Sequence, residues 1–228
     1  MHSYKDYYED DPQIRLGFVR KVYGILTVML TVTVLMCIPS LTSDTYAQWQ
    51  VDNTWLLWTC LAVYLVLGFT IICCKGLARS VPTNYILLFI FCLSLSYIVS
   101  AICATYDPNI VIMAAIMTTG ITLALTIYAM TTKTDFTVCG GLLFVLVMAL
   151  ILFGLFALFF NVKILYTFYC ILGVIVYGIY LIMDTQLIMG GKTHQISMDD
   201  YILGAFILFL DIIMLFLYIL RIFGASRS

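Results

Sequence analysis

The feature that most constrains this chain is a series of seven apolar runs that are almost free of charge. They cover roughly 22–41, 55–74, 84–105, 109–130, 139–160, 163–189 and 202–223. A hydrocarbon core about 30 Å thick is crossed by about 20 apolar residues of helix. Because lipid offers the backbone no hydrogen bonds, a span must be a helix or belong to a closed barrel, and continuous rather than alternating runs favour helices. The sequence therefore predicts an all-α membrane protein with seven transmembrane helices.

The composition excludes a soluble globular domain. Apolar residues make up 64% of the 228 residues and charged residues only 10%, against about 45–50% and about 25% in soluble domains. Residues 1–14 are predicted to form an acidic, tyrosine-rich tail. Because the connections between the apolar runs are short, we expect a single seven-span membrane domain over residues 15–228. With a net charge of −1 and no basic tract, nucleic acid is not an expected partner, whereas the lipid bilayer is.

Lysine and arginine in the short flanks predict the orientation of the spans. Alternate loops place one basic residue, Lys163, on one side of the membrane. The N-terminal side carries eight: Lys5, Arg15, Arg20, Lys21, Lys75, Arg79, Lys133 and Lys192. The N-terminus is therefore predicted to be cytosolic, which disfavours a G-protein-coupled receptor. Arg221 and Arg227 fit this rule poorly, so a full crossing and a re-entrant final segment both stay open.

The eight cysteines show no Cys-x-x-Cys spacing of a zinc or redox site. Most lie inside apolar runs, where cysteine acts as a small apolar packing residue. We therefore expect packing roles, with Cys73 and Cys74 at a span end as the exceptions.

Two aspartates stand inside the spans, where acids are costly. Asp184 lies in the sixth run and Asp211 near the middle of the seventh. An acid in hydrocarbon is by default a functional candidate. On antiparallel neighbouring helices the two acids would sit about 9 and about 13 Å from the cytosolic ends, at 1.5 Å per residue. They could then face each other if the helices are rotated suitably.

Two carboxyl groups close together in a low dielectric do not both ionise easily, so the pair is expected to share a proton and titrate as a unit. Such a pair holds two helices together when it is protonated. When it is deprotonated, the two carboxylates repel each other or attract a cation. Two aspartates with carbonyls and water form a weak, transient Ca²⁺ site, since tight binding needs six to eight oxygens. The alternative is that each acid merely bonds a neighbouring helix. Arg79 and Lys75 lie on the same cytosolic side and are candidate counter-charges for the pair.

Two further acids precede the last span. Asp199 and Asp200 are expected to cap the final helix, with Ser197-x-x-Asp200 resembling a capping box.

These segments resemble the transmembrane Bax-inhibitor-motif family, and most of all its Lifeguard branch. The similarity runs in order over residues 15–228. It is carried by Phe18-Val-Arg-Lys-Val-Tyr23, Thr132-Lys-Thr-Asp-Phe-Thr137, Met183-Asp-Thr-Gln-Leu-Ile-Met-Gly190, and Tyr201-Ile-Leu-Gly-Ala205 through Asp211 to Phe223-Gly224. The resemblance implies a seven-helix fold with a central last helix, a Ca²⁺ leak from internal stores such as the endoplasmic reticulum or Golgi, and suppression of cell death. It assigns the pH-sensitive pair to Asp184 and Asp211, and a third latch residue to Arg79.

The leading hypothesis is therefore a non-enzymatic, pH-sensitive Ca²⁺ leak channel that restrains apoptosis, in an internal membrane, with the plasma membrane as the alternative location. Ca²⁺ would be the permeant ion, and no cofactor is expected. One alternative is a non-conducting scaffold that modulates apoptotic or receptor membrane proteins. An intramembrane aspartyl protease also uses two acids on adjacent spans, but its Gly-x-Gly-Asp motif is absent, since Leu208-Phe209-Leu210 precedes Asp211.

Overall fold

The computed structural model of the protein describes residues 12–159 and 163–227, and within this part of the chain the regular structure is helical without strands. The elements are α1 (Pro12–Thr42), α2 (Asp44–Asp52), α3 (Thr54–Cys73), α4 (Lys75–Arg79), α5 (Thr83–Cys103), α6 (Pro108–Thr131), α7 (Gly140–Phe159), α8 (Lys163–Met189) and α9 (Tyr201–Arg227). Short 3-10 turns at Thr137–Cys139 and Met198–Asp200 precede α7 and α9. Most of the predicted tail over residues 1–14 lies outside the described residues.

The prediction of seven spans is confirmed. Seven of the described helices (α1, α3, α5, α6, α7, α8 and α9) are long and apolar enough to cross a membrane. Their bounds follow the apolar runs, except that α1 starts about ten residues before its run. The early start is physically reasonable, because Pro12 suits a first helical position and Arg15 lays its guanidinium over the Phe18 ring, 4.9 Å from the centroid.

The last helix is continuous. It runs for 27 residues, about 40 Å at 1.5 Å per residue, which is more than the hydrocarbon core requires. An unbroken helix of this length supports a full crossing, since a re-entrant segment needs a break or turn that α9 does not contain; the re-entrant alternative stays a prediction that the helix bounds alone do not test. Arg221 lies over the ring of Tyr218, 5.5 Å from its centroid, so an aromatic face accommodates part of its charge. Of the seven helices, α9 is also the most buried, as the family resemblance implied.

The described residues divide into two compact units, and α9 contributes to both. The first unit contains residues 12–109 and 197–209. In it, α3 packs on α5 through Tyr64 and Phe91, whose ring centroids lie 5.3 Å apart. Phe206 at the start of α9 packs on the same Phe91, at 4.8 Å. Gly68 lies against the same two rings, since a Cβ there would be 3.4 Å from Phe91 and 3.8 Å from Phe206.

The second unit contains residues 110–159, 163–196 and 210–227. Here α8 meets α9 at Gly173, where a Cβ would lie 2.5 Å from the ring of Tyr218. The Tyr218 hydroxyl shares a 2.9 Å hydrogen bond with that of Tyr169. The C-terminal end of α8 is set by Gly190 and Gly191, both with positive φ (72° and 75°), a conformation that ends helices and favours glycine. The chain thereby turns from α8 towards α9.

Large apolar side chains cover the outside of several helices. Phe69 and Trp58 on α3 and Ile116 on α6 are each about two-thirds exposed (70%, 67% and 67%). Such a surface would be an aggregation hazard in water, but it is the surface expected against lipid acyl chains. The single membrane domain over residues 15–228 stays a prediction.

Candidate functional site

The two span acids lie within the second unit, on neighbouring helices. Asp184 stands one and a half turns before the end of α8, and Asp211 lies ten residues into α9. Both are buried, with 6% and 5% of their surface exposed. These positions keep two costly charges out of lipid, as expected for acids that have a partner or a function inside the protein.

The structure brings the two acids together. Their carboxyl groups lie within hydrogen-bonding reach of each other, and we refer to Asp184 and Asp211 as the acid pair. A hydrogen bond between two carboxyl groups requires a proton on one of them, because a carboxylate can only accept. The helix rotation that the sequence left open is thus the one that makes the pair.

The acid pair retains unused polar capacity. Among the described residues, two polar atoms of this region are buried without a hydrogen-bond partner. They are Oδ2 of Asp211 and the hydroxyl of Thr185, the residue that follows Asp184 in the chain. Buried polar atoms of this kind are rare and call for an explanation, such as water or an ion. Tyr180 lies one turn before Asp184 on the same helix.

A resident metal centre is not supported. Within the part of the chain that the structure describes, no cluster of three or more histidine, cysteine, aspartate or glutamate side chains could hold a metal ion. Two carboxylates alone fall short of the six to eight oxygens that Ca²⁺ requires for tight binding.

Gln186 is a site residue to which sequence reasoning gave no role of its own. Its side chain is almost fully buried and holds the loop that follows α6. Its Oε1 accepts the backbone N–H of Phe136 at 2.8 Å, and its Nε2 donates to the carbonyls of Thr134 at 2.9 Å and Ala129 at 3.4 Å. The sequence does contain a signal for this role, because Gln186 is an amide inside an apolar run, two residues after Asp184. A buried amide needs hydrogen-bond partners.

The same loop is bound by the segment that follows α8. Lys192 Nζ donates to the carbonyls of Thr132, Lys133 and Thr134 at 3.0–3.3 Å, just beyond α6, where a cation interacts favourably with the helix dipole. These bonds and those of Gln186 fix the end of the helix that carries Asp184.

Asp135 also joins the loop after α6 to the segment that follows α8. Its carboxylate accepts the hydroxyl and N–H of Thr137 at 2.6 and 2.9 Å, and the N–H of Thr193 at 2.9 Å. Hydrogen bonds from Thr137, and then from Thr193, hold the pKa of Asp135 well below its usual range, because they stabilise the charged form.

Arg79 lies in the first unit, at the end of α4, and forms a two-pronged ion pair with Asp200. Its Nε and Nη2 each lie 2.7 Å from a carboxylate oxygen. The capping-box expectation is wrong at this point, because Ser197 forms no side-chain cap bond. The Asp200 carboxylate is used for the ion pair instead. Beside it, Asn84 donates to the Tyr201 hydroxyl at 2.8 Å.

Comparison with known proteins agrees with this architecture. Residues 15–228 match the family described as inhibitor of apoptosis-promoting Bax1. The chain is 34% identical to mouse protein lifeguard 3 over 95% of its own length and 71% of that protein. It is 35% identical to human protein lifeguard 3 (94% and 70%) and to mouse protein lifeguard 4 (94% and 87%). The resemblance inferred from the motifs is confirmed: the chain belongs to the Bax-inhibitor family and is related to its Lifeguard proteins.

Proposed function

We propose that this protein is a pH-sensitive Ca²⁺ leak channel of an internal membrane that restrains apoptosis, and that the acid pair gates it. The family membership makes it a multi-pass membrane protein of a family of apoptosis regulators. One observation carries the finer proposal: Asp184 and Asp211 are buried in spans and lie within hydrogen-bonding reach of each other. No purely structural bond between apolar helices needs two ionisable groups at the same place.

The gating follows from the shared proton. While one carboxyl group holds the proton, the bond between the acids links α8 to α9. When the proton leaves, two negative charges face each other in a low dielectric and repel, and their oxygens become ligands for a cation. The unpartnered Oδ2 of Asp211 would be one of the oxygens of a transient Ca²⁺ contact. Rising pH is therefore expected to increase the leak.

The test is Ca²⁺ flux into liposomes that contain the purified chain, measured from about pH 5 to about pH 8. A one-proton switch changes the open fraction by at most about tenfold per pH unit. In Asp184→Asn or Asp211→Asn, an amide–carboxylate bond replaces the shared proton, so we expect the pH dependence to disappear. Asp44→Asn, at an exposed acid that begins α2, is the matched control and should behave as wild type.

Each alternative function predicts a different outcome. An unchanged flux and pH profile in both span mutants would refute gating by the acid pair. If the wild type conducts nothing at any pH yet protects cells, the scaffold function is correct. We infer that the protein is not an enzyme, since the aspartyl-protease motif is missing; peptide cleavage that is lost in Asp211→Ala would contradict this.

We also propose that Arg79 is a latch that acts through Asp200. The ion pair fixes the turn from which α9 starts, and α9 carries Asp211. The latch is thus proposed to restrain the start of the helix. Arg79→Gln should raise the basal flux while keeping its pH dependence; Arg79→Lys, which keeps the charge but loses the two-pronged geometry, should give an intermediate flux. Equal flux in all three proteins would exclude the latch.

The basic flanks support an N-terminus in the cytosol, with the endoplasmic reticulum or the Golgi as the membrane we propose. An N-terminal epitope tag should then be accessible to antibody in cells whose plasma membrane alone is permeabilised. Staining that requires permeabilised internal membranes would reverse the orientation.

A further inference from the structure

Within the first unit, α1 and α5 run parallel and are joined by a ladder of small polar side chains. The Cys92 thiol donates to the carbonyl of Met29 at 3.6 Å. One turn later Thr33 and Ser96 share a 2.8 Å hydrogen bond. The first two steps connect residues 63 positions apart, so the two helices advance in register.

The ladder continues to the C-terminal ends of both helices. The Ser100 hydroxyl donates to the backbone carbonyl of Met36 at 2.9 Å and lies 2.5 Å from the Ser40 hydroxyl. A side chain as short as serine reaches the backbone of the next helix only when the two helices are very close, as small residues allow. Gln50 of α2 bonds to both serines and completes the network.

Two thiols stand on the last step of this ladder. Cys37 of α1 lies three residues before Ser40, and Cys103, the final residue of α5, lies three residues after Ser100, so both thiols flank the Ser40–Ser100 step, and we refer to them as the thiol pair. Their position agrees with the neighbouring steps, which place this part of α1 against the end of α5. Cys103 is fully buried, whereas Cys37 is partly exposed. The pair therefore has one thiol that a reagent can reach and a second that is fully buried.

We propose that Cys37 and Cys103 form a disulfide by exchange with an oxidised dithiol protein, and that this bond locks α1 to α5. The partly exposed Cys37, as a thiolate, attacks the partner's disulfide; one partner sulfur leaves as a thiol and a mixed disulfide remains on Cys37. The Cys103 thiolate then attacks the Cys37 sulfur and releases the second partner sulfur. Two cysteine thiols are oxidised, one partner disulfide is reduced to a dithiol, and the two protons end on the partner.

The compartment follows from the proposed orientation, on which this part of the inference rests. Because α1 and α5 are parallel spans, their C-terminal ends lie on the same side of the membrane, and a cytosolic N-terminus places that side in the lumen. Cys37 lies only about 8 Å before the end of α1, near the membrane surface. Lumenal compartments sustain disulfides, whereas the cytosol keeps thiols reduced.

The pair differs from the exceptions expected from the sequence. Cys73 and Cys74 are both exposed at the end of α3, but they are adjacent in the chain. They also follow a span that runs in the opposite direction, so the proposed orientation places them on the cytosolic side.

The experiment uses the purified full chain in detergent with glutathione mixtures of increasing oxidised fraction. Remaining thiols are alkylated, and the digested protein is mapped by mass spectrometry. We expect a peptide linked through Cys37 and Cys103 that disappears on reduction, while the exposed Cys73 and Cys74 carry either the alkylating reagent or glutathione and are linked to neither Cys37 nor Cys103. Complete alkylation of Cys37 and Cys103 at the most oxidising mixture would overturn the proposal, and so would a link from Cys37 to a different cysteine.

A second measurement tests the lock itself. Oxidation should raise the apparent Tm of the wild type, and Cys37→Ala and Cys103→Ala should each abolish that rise. The same gain in either variant would contradict the lock. Peptide mapping does not depend on ion flux, so the two proposals can fail separately. A Cys37–Cys103 link without a Ca²⁺ leak would refute only the proposed function. A Ca²⁺ leak without the link would refute only the proposed disulfide.

Discussion

Replacing Gln186 by methionine tests the bonds that attach α8 to the loop after α6. Methionine has a similar length and volume, so packing is largely kept while the amide is lost. Gln186 forms two good hydrogen bonds, to the Phe136 N–H at 2.8 Å and the Thr134 carbonyl at 2.9 Å, and a longer one of 3.4 Å. Each good bond contributes about 1 kcal/mol net, so the loss is about 2 kcal/mol.

The assay is hydrogen exchange of the Phe136 amide in detergent micelles. A loss of about 2 kcal/mol corresponds to about 30-fold, at 1.4 kcal/mol per tenfold, so the protection of this amide should fall by that factor. The matched control is Gln195→Met, since Gln195 is exposed in the loop that follows α8 and should change protection little. If both variants leave the Phe136 amide equally protected, Gln186 does not hold the loop.

Three further predictions concern stability. Gly173→Ala places a Cβ 2.5 Å from the ring of Tyr218, so overpacking should cost about 1–3 kcal/mol, measured as a lower apparent Tm in detergent. Ser100→Ala removes the hydroxyl that joins α1, α2 and α5 and should cost about 1–3 kcal/mol, seen in the same Tm assay. The hydrogen bonds from Thr137, first among several, depress the folded-state pKa of Asp135, so its stabilisation is complete above the unfolded pKa of about 4 and is lost as pH falls below it. A Tm-against-pH curve of Asp135→Asn should lack that acid-side loss.

Each of these variants has a control in the same chain. Gly24→Ala meets no atom within 4 Å of the new Cβ and should not lower the Tm. Ser94→Ala removes only a bond to its own helix, to the carbonyl of Ile90, and should cost less than the Ser100 change. Asp107→Asn should keep the acid-side loss of the wild type. If Gly173→Ala and Gly24→Ala have the same apparent Tm, the packing argument for Gly173 is wrong.

Much of this protein can be predicted from the sequence because lipid permits few solutions. The seven apolar runs became helices with nearly the expected bounds, since a backbone in hydrocarbon must bond to itself. Asp184 and Asp211 were identified for the same reason, because an acid inside an apolar run stands out in a way that an acid in a soluble helix does not.

The partners of these residues could not be predicted from the sequence. A span that is apolar on all sides carries no periodic signal to show which face meets which helix. Sequence reasoning offered Arg79 as a counter-charge for the acid pair but gave no sign of its ion pair with Asp200, 121 positions away.

The sequence by itself determined that the chain is a bundle of seven helices with two acids inside it, because burial in lipid restricts backbone and charge alike. Only the tertiary structure decided that the two acids lie within reach of each other, that Gln186 holds a loop, and that Cys37 and Cys103 flank the same step between α1 and α5. Those contacts depend on how each helix is rotated about its axis, and packing between residues distant in the chain sets that rotation.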